Sequence, residues 1–129
     1  MPKYSPLILL GLAGFAIYAL VVSAPLLLWQ LPGGLPFGNL LTAAGLCALP
    51  AAALALSRAG SWHHWLAIGA LIISALWLPV SIALAGNLSL NFSNSNGVFW
   101  LRLTVITVLV GTVSLACSIV ARAMQKARR

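Results

Sequence analysis

The amino-acid sequence predicts an all-α membrane protein: a four-transmembrane-helix up-down-up-down bundle, within a single transmembrane domain covering residues 1–129. Three observations lead there. Of 129 residues, 62% are hydrophobic and 5% are charged, whereas soluble domains carry about a quarter charged residues. A water-soluble fold of this composition would present a largely apolar surface, which soluble monomers avoid. Four apolar stretches approach the roughly 20 residues that a helix needs to cross a hydrocarbon core. The segments between them are short and rich in turn formers, and short links place consecutive helices antiparallel.

The first span is expected at about 6–29, beginning after Lys3 and Tyr4. Val22, Ser23 and Ala24 have the small-residue character of a signal-peptide cleavage site. Pro25 follows directly and the apolar run continues to Trp29, so the segment is read as a retained span. Residues 31–38 hold two prolines and three glycines and form the first turn. The second span is expected at about 39–56 and ends in a short polar turn around Arg58 and Gly60. The third is expected at about 65–85. A polar, uncharged loop rich in Asn and Ser follows at 86–97, and the fourth span lies at about 99–121. A basic cytoplasmic tail is expected at 122–129.

Charge sets the orientation. The chain has seven Lys plus Arg and no Asp or Glu. Lys3, Arg58, Arg122, Lys126, Arg128 and Arg129 all fall on one side of a four-span chain. Cations concentrate on the cytoplasmic side of membrane proteins, so the expected location is a bacterial inner membrane with both termini cytoplasmic. The cations are too few and too scattered for a nucleic-acid surface, and no nucleic-acid partner is expected. Arg102 is the exception, about one turn inside the outer end of the fourth span. It either snorkels to the headgroups or points into the bundle toward an anionic group. Tyr4, Trp62 and Trp65 mark the inner interface and Trp29, Phe37, Phe92, Phe99 and Trp100 the outer one. Trp77 and Tyr18 lie deeper, where their polar atoms are expected to find partners within the bundle.

Lipid gives no hydrophobic reward for helix pairing, so small residues must allow close contact. On the fourth span Thr104, Thr107, Gly111, Ser114, Ser118, Ala121 and Gln125 recur in alternating steps of three and four. That spacing puts them on one face, read as a packing seam or as the lining of a path. Ala67, Ala70, Ser74, Trp77 and Ser81 form a similar face on the third span, and Ala44, Ala48 and Ala52 repeat on the second. Pro25, Pro50 and Pro79 each fall inside an expected span, where each removes a backbone hydrogen bond and favours a kink.

Groups that carry chemistry are sparse. Without Asp or Glu, acid–base hydrolysis and carboxylate metal sites lack their usual side chains. His63 and His64 project about 100° apart on a helix and make a poor chelate. With Arg58 and Arg102 they are read as candidate contacts for an anion or a lipid phosphate. Cys47 and Cys117 sit at different depths and are not expected to bond. Asn87 and Asn91 each begin an Asn-X-Ser pattern that matters only in a eukaryotic secretory membrane. No catalytic residue, metal ligand or cofactor is expected, and the chain is not expected to be an enzyme.

The expected function is therefore that of a small non-catalytic accessory or assembly subunit, packing its helices against a larger membrane complex. Its expected partners are the lipid bilayer and other transmembrane subunits, or further copies of itself. One alternative is a homo-oligomeric transporter or channel for an uncharged or anionic solute, using the hydroxyl face of the fourth span. Another is a membrane immunity or regulatory protein.

Overall fold

The computed structural model describes residues 4–128; Met1, Pro2, Lys3 and Arg129 lie outside the described residues, so the expected roles of Lys3 and Arg129 do too. The described chain is all-helical, with four α-helices: α1 (Ser5–Val21), α2 (Phe37–Leu56), α3 (Trp62–Ala85) and α4 (Asn96–Ala127). A 3-10 turn at Pro25–Leu28 follows α1. The last three helices are long and apolar enough to cross a membrane, and α1 is a shorter apolar helix.

The first expected span does not run unbroken to residue 29. α1 stops at Val21, and the reason is local. Pro25 has no N–H to donate and its ring opposes a helical carbonyl four residues earlier. Ala24, before the proline, is extended with φ −56° and ψ 135°. Ser23 takes the left-handed conformation at φ 50°. Ser23 N–H donates to Leu20 O at 3.2 Å and Ala24 N–H to Ala19 O at 2.9 Å. This is the Schellman pattern, closed by a serine in place of the usual glycine. Pro25 thus ends α1 instead of kinking it, whereas Pro50 and Pro79 do lie inside helices.

The next link is the turn its sequence predicts. Gly34 N–H donates to Leu31 O at 2.9 Å across Pro32 and Gly33, with Gly33 at φ 97°. Proline followed by a positive-φ glycine is the signature of a type II turn. α3 starts at Trp62, three residues earlier than expected, because Ser61 is its N-cap: its hydroxyl oxygen accepts from His64 N–H at 3.3 Å. α3 ends where Gly86 turns left-handed at φ 70°. α4 is longer than the expected span and takes up nearly all of the predicted tail. Residues 122–127 are Arg, Ala, Met, Gln, Lys and Ala, all strong helix formers. The charges there change the polarity of the chain without ending the helix. At about 1.5 Å per residue α4 is about 48 Å long and α1 about 26 Å.

The 86–97 loop is held by its asparagines. Asn87 Nδ2 donates to Ala85 O and to Asn91 O, and Asn87 Oδ1 accepts from Asn91 N–H at 3.0 Å. Asn96 Nδ2 reaches back to Leu84 O at 3.0 Å. Asn39, at the start of α2, ties the same loop down through Leu88 O at 2.9 Å.

α2 is the central helix and packs against α1, α3 and α4. Its role follows from its small side chains. Ala13, Ala16 and Ala19 are the buried residues of α1, and Gly45 of α2 faces them. A Cβ on Gly45 would lie 2.7 Å from Ala16 Cβ, so the two backbones are in the closest approach that glycine permits. On the opposite side Gly111 of α4 meets Leu49 and Pro50, but a Cβ there would be 3.5 and 3.6 Å from them, ordinary contact.

These two glycines should therefore respond oppositely to one methyl group. Gly45→Ala should destabilise the bundle by about 1–3 kcal/mol through overpacking. Gly111→Ala should be neutral or stabilising by up to about 1 kcal/mol, the gain in helix propensity. Thermal unfolding of the two variants in one detergent checks the contrast; equal melting temperatures would remove the close approach at Gly45.

Candidate functional site

The residues singled out on α4 line one face of that helix. Thr107, Gly111, Ser114 and Ser118 are its buried residues, Thr104 is half-buried, and Gln125 at the end of the series is exposed. The hydroxyls mostly close on their own backbone. Thr104 Oγ1 donates to Trp100 O at 2.9 Å, Thr107 Oγ1 to Leu103 O at 2.7 Å and Ser114 Oγ to Gly111 O at 2.8 Å. Such bonds satisfy a hydroxyl without a ligand. The facing residues of α3 are Ala67, Ala70, Ser74, Trp77 and Ser81, all buried.

Trp77 fixes the register of α3 on α4. It is 1% exposed, and its indole N–H donates to Thr104 Oγ1 at 2.9 Å. Trp100 and Phe92 stack beyond it, with ring centroids 6.3 and 5.0 Å apart in succession. Tyr18, by contrast, does not enter the bundle as expected. α1 buries only alanines against α2, and Tyr18 sits on its opposite side, 65% exposed.

Of the four candidate anion contacts, three gather around the start of α3 and one does not. Arg58 is exposed in the α2–α3 turn, where its carbonyl accepts from the Ser61 hydroxyl at 2.6 Å. His64 turns toward α2: its Nδ1 lies 2.9 Å from Ser57 Oγ. The Ser57 hydroxyl proton goes to Leu54 O, which makes His64 Nδ1–H the donor in that pair. His63, about 100° around the helix, points into the α3–α4 seam and is 6% exposed. Arg102 lies far from these, near the start of α4, and is exposed. It is about 140° around the helix from Thr107, so it points away from the bundle interior.

A groove with a cavity volume of about 490 Å³ opens beside His63. Trp62 and His63 of α3 form one wall, and Val120, Met124, Gln125 and Arg128 of α4 form the other. Gln125 and Arg128 were not expected to share a groove with His63. Trp77 of α3 bonds Thr104 of α4, and Trp62 and His63 in the first turn of α3 border the same groove as Gln125 and Arg128 in the last turns of α4. His63 and Ser118 each carry a buried polar atom, His63 Nδ1 and Ser118 Oγ, with no hydrogen-bond partner among the described residues. Ser74 Oγ and Trp100 Nε1 share that condition elsewhere in the seam.

A second set of hollows lies at the other end. One of about 410 Å³ is bordered by Asn39, Thr42, Ser89 and Trp100. A narrower cleft of about 210 Å³ separates α1 from α4 and reaches Gly45 and Val108. Thr42 and Thr104 border both. Among the described residues no group of three or more His, Cys, Asp or Glu is placed to hold a metal ion. Cys47 and Cys117 are free and half-buried.

The Trp77–Thr104 bond should be measurable. Thr104→Val keeps the shape but leaves a buried indole N–H unpaired, which costs about 1–3 kcal/mol. Thr104→Ser keeps the acceptor and should lose much less. Detergent unfolding followed by tryptophan fluorescence distinguishes them; equal losses would mean that the methyl group, not the hydroxyl, matters. Comparison with known protein families, curated proteins and solved structures gives no match for this chain.

Proposed function

We propose that the chain is an integral membrane protein with four spans and both termini at the cytoplasmic face, and that it works as a non-catalytic accessory or assembly subunit of a larger membrane complex. One observation carries this reading: the distribution of side chains is inverted relative to a water-soluble bundle. The buried face of α4 is Thr107, Gly111, Ser114 and Ser118, while Val105, Ile106, Leu109, Val113, Ile119 and Val120 of the same helix are exposed. In water large aliphatic residues are the ones that go inside. A lipid solvent removes the cost of exposing them, and small or hydroxylated residues then make the helix contacts.

Three features support the subunit role. Thr104, Thr107 and Ser114 of the α4 face bond to their own helix, and Ser118 is buried, so that face works as a seam. The loops are short, and the outer surface of the helices is the main surface available for recognition. On α1, Gly11 and Gly14 are exposed, and a Cβ on either would meet nothing within 4 Å. One turn apart, they leave a flat strip where another helix can approach closely.

The protein should stay with membranes during alkaline carbonate extraction; release without detergent would defeat the membrane reading. Purification from native membranes in mild detergent should recover it within a larger assembly. Replacing Gly11 and Gly14 together by leucine should release it from that assembly while leaving it membrane-bound. Recovery of the unmodified protein as a lone monomer would defeat the subunit reading.

A second reading, a carrier of a small uncharged solute, draws on the cleft between α1 and α4 that is continuous at Thr42 and Thr104 with the polar hollow. It requires solute flux in liposomes holding this protein alone, abolished by Thr42→Leu. Flux that survives this substitution would exclude the cleft as the path.

A further inference from the structure

We propose that the cleft between α1 and α4, together with the polar hollow at its outer end, is a binding site for a single-chain lipid with an uncharged, hydroxyl-bearing head, of which a monoacylglycerol is the simplest. The proposal rests on the membrane reading above and deepens it. The site exists because the bundle is not closed. α4 packs on α2 and α3, whereas α1 packs chiefly on α2, and a cleft of about 210 Å³ is left between α1 and α4. α2, which touches both, supplies Gly45, Leu46 and Leu49 to it. Ile17, Leu20 and Val108 border the cleft and are exposed, so in a bilayer it opens toward hydrocarbon. From Thr42 to Leu49 of α2 it runs about 10 Å along the helix axis. Apart from its two threonines its lining is apolar, and it suits the part of an acyl chain nearest the head.

The chemistry changes at the outer end. Leu20, Thr42 and Thr104 border both the cleft and the hollow of about 410 Å³, and Asn39 and Ser89 add polar groups to the hollow. Thr42 Oγ1 donates its proton to Gly38 O at 2.7 Å, so toward a ligand its oxygen can only accept. Asn39 gives one Nδ2 proton to Leu88 O at 2.9 Å, and its Oδ1 accepts from no described residue. Ser89 is exposed and its hydroxyl bonds to no described residue. Two acceptors and a hydroxyl match a head that donates O–H groups. No charged residue borders either space. A charged head would lose water there without gaining a counter-charge, which is costly. A glycerol head meets these conditions, and the adjoining apolar cleft selects one that carries an acyl chain over a free polyol.

Photolabelling tests this. The full-length protein is placed in phosphatidylcholine vesicles with a trace of monoacylglycerol that carries a diazirine on its chain close to the head, and labelled residues are mapped by mass spectrometry. Labels should concentrate on Ile17, Leu46 and Val108. Unlabelled monoacylglycerol should displace them at a concentration roughly tenfold lower than lysophosphatidylglycerol of the same chain, because the latter brings an unpaired charge. Val108→Phe, which fills the cleft from its exposed rim, should abolish this labelling. Val113→Phe, also exposed on α4 but outside the cleft, should leave it intact. Thr42→Val should weaken displacement by monoacylglycerol about fivefold, the loss of one hydrogen bond. Labels spread evenly over the exposed residues of all four helices would mean bulk lipid contact and overturn the proposal. Equal displacement by the two competitors, or no effect of Thr42→Val, would overturn the uncharged head in the hollow. Displacement by free glycerol would assign the hollow to a small solute and overturn the lipid as occupant. Failure to enter vesicles at all would overturn the membrane reading itself, an outcome distinct from incorporation without a labelled cleft.

Discussion

The structure depends on how closely α2 can be approached. Its neighbours on either side contact it through alanine, glycine and serine faces, and Gly45 against Ala16 is the tightest point. Small side chains let helix backbones come together, and close backbones give dispersion contact along the whole seam. α1 contributes only small residues to this contact: its buried residues are three alanines, two of which pack against Leu41 of α2. The 3-10 turn adds to the contact, since Leu27 rests on Gly38, where an added Cβ would lie 3.0 Å from Leu27 O and 3.1 Å from Leu27 Cβ. The Schellman ending at Ser23 makes this possible by turning the chain back over the top of α2.

Between the buried alanines, the interior holds small polar residues, several of which bond to their own helix. Serine and threonine are helix-compatible when their hydroxyls bond to a carbonyl of the preceding turn. Thr104, Thr107 and Ser114 all do so. Trp77 is the large exception, and its indole N–H donates to Thr104 Oγ1. Four buried polar atoms close no hydrogen bond among the described residues: His63 Nδ1, Ser74 Oγ, Trp100 Nε1 and Ser118 Oγ. Unpartnered buried polar atoms are costly.

Several elements were legible from pattern alone. The alternating steps of three and four on the fourth span mark the face that holds all the buried residues of α4, because a helical period converts spacing into direction. The turn at Pro32 and Gly33 was legible because proline and glycine restrict and free φ in known ways. α3 begins at Trp62, before the expected 65, because Ser61 caps it, and His63, four residues before Ala67, joins the face formed by Ala67, Ala70 and Ser74. α4 continues past the expected 121 because helix propensity does not end where charge begins.

What the sequence determined by itself was the helical character, the number of apolar segments and the inward faces of α3 and α4. These depend on composition and period, which are local properties. Only the tertiary structure decided that α2 is the centre, that Arg102 turns outward, and that His63 borders the same groove as Gln125 and Arg128. Those outcomes depend on the register between helices far apart in the chain. A single contact such as Trp77 with Thr104 sets that register, and no local pattern of either helix encodes it.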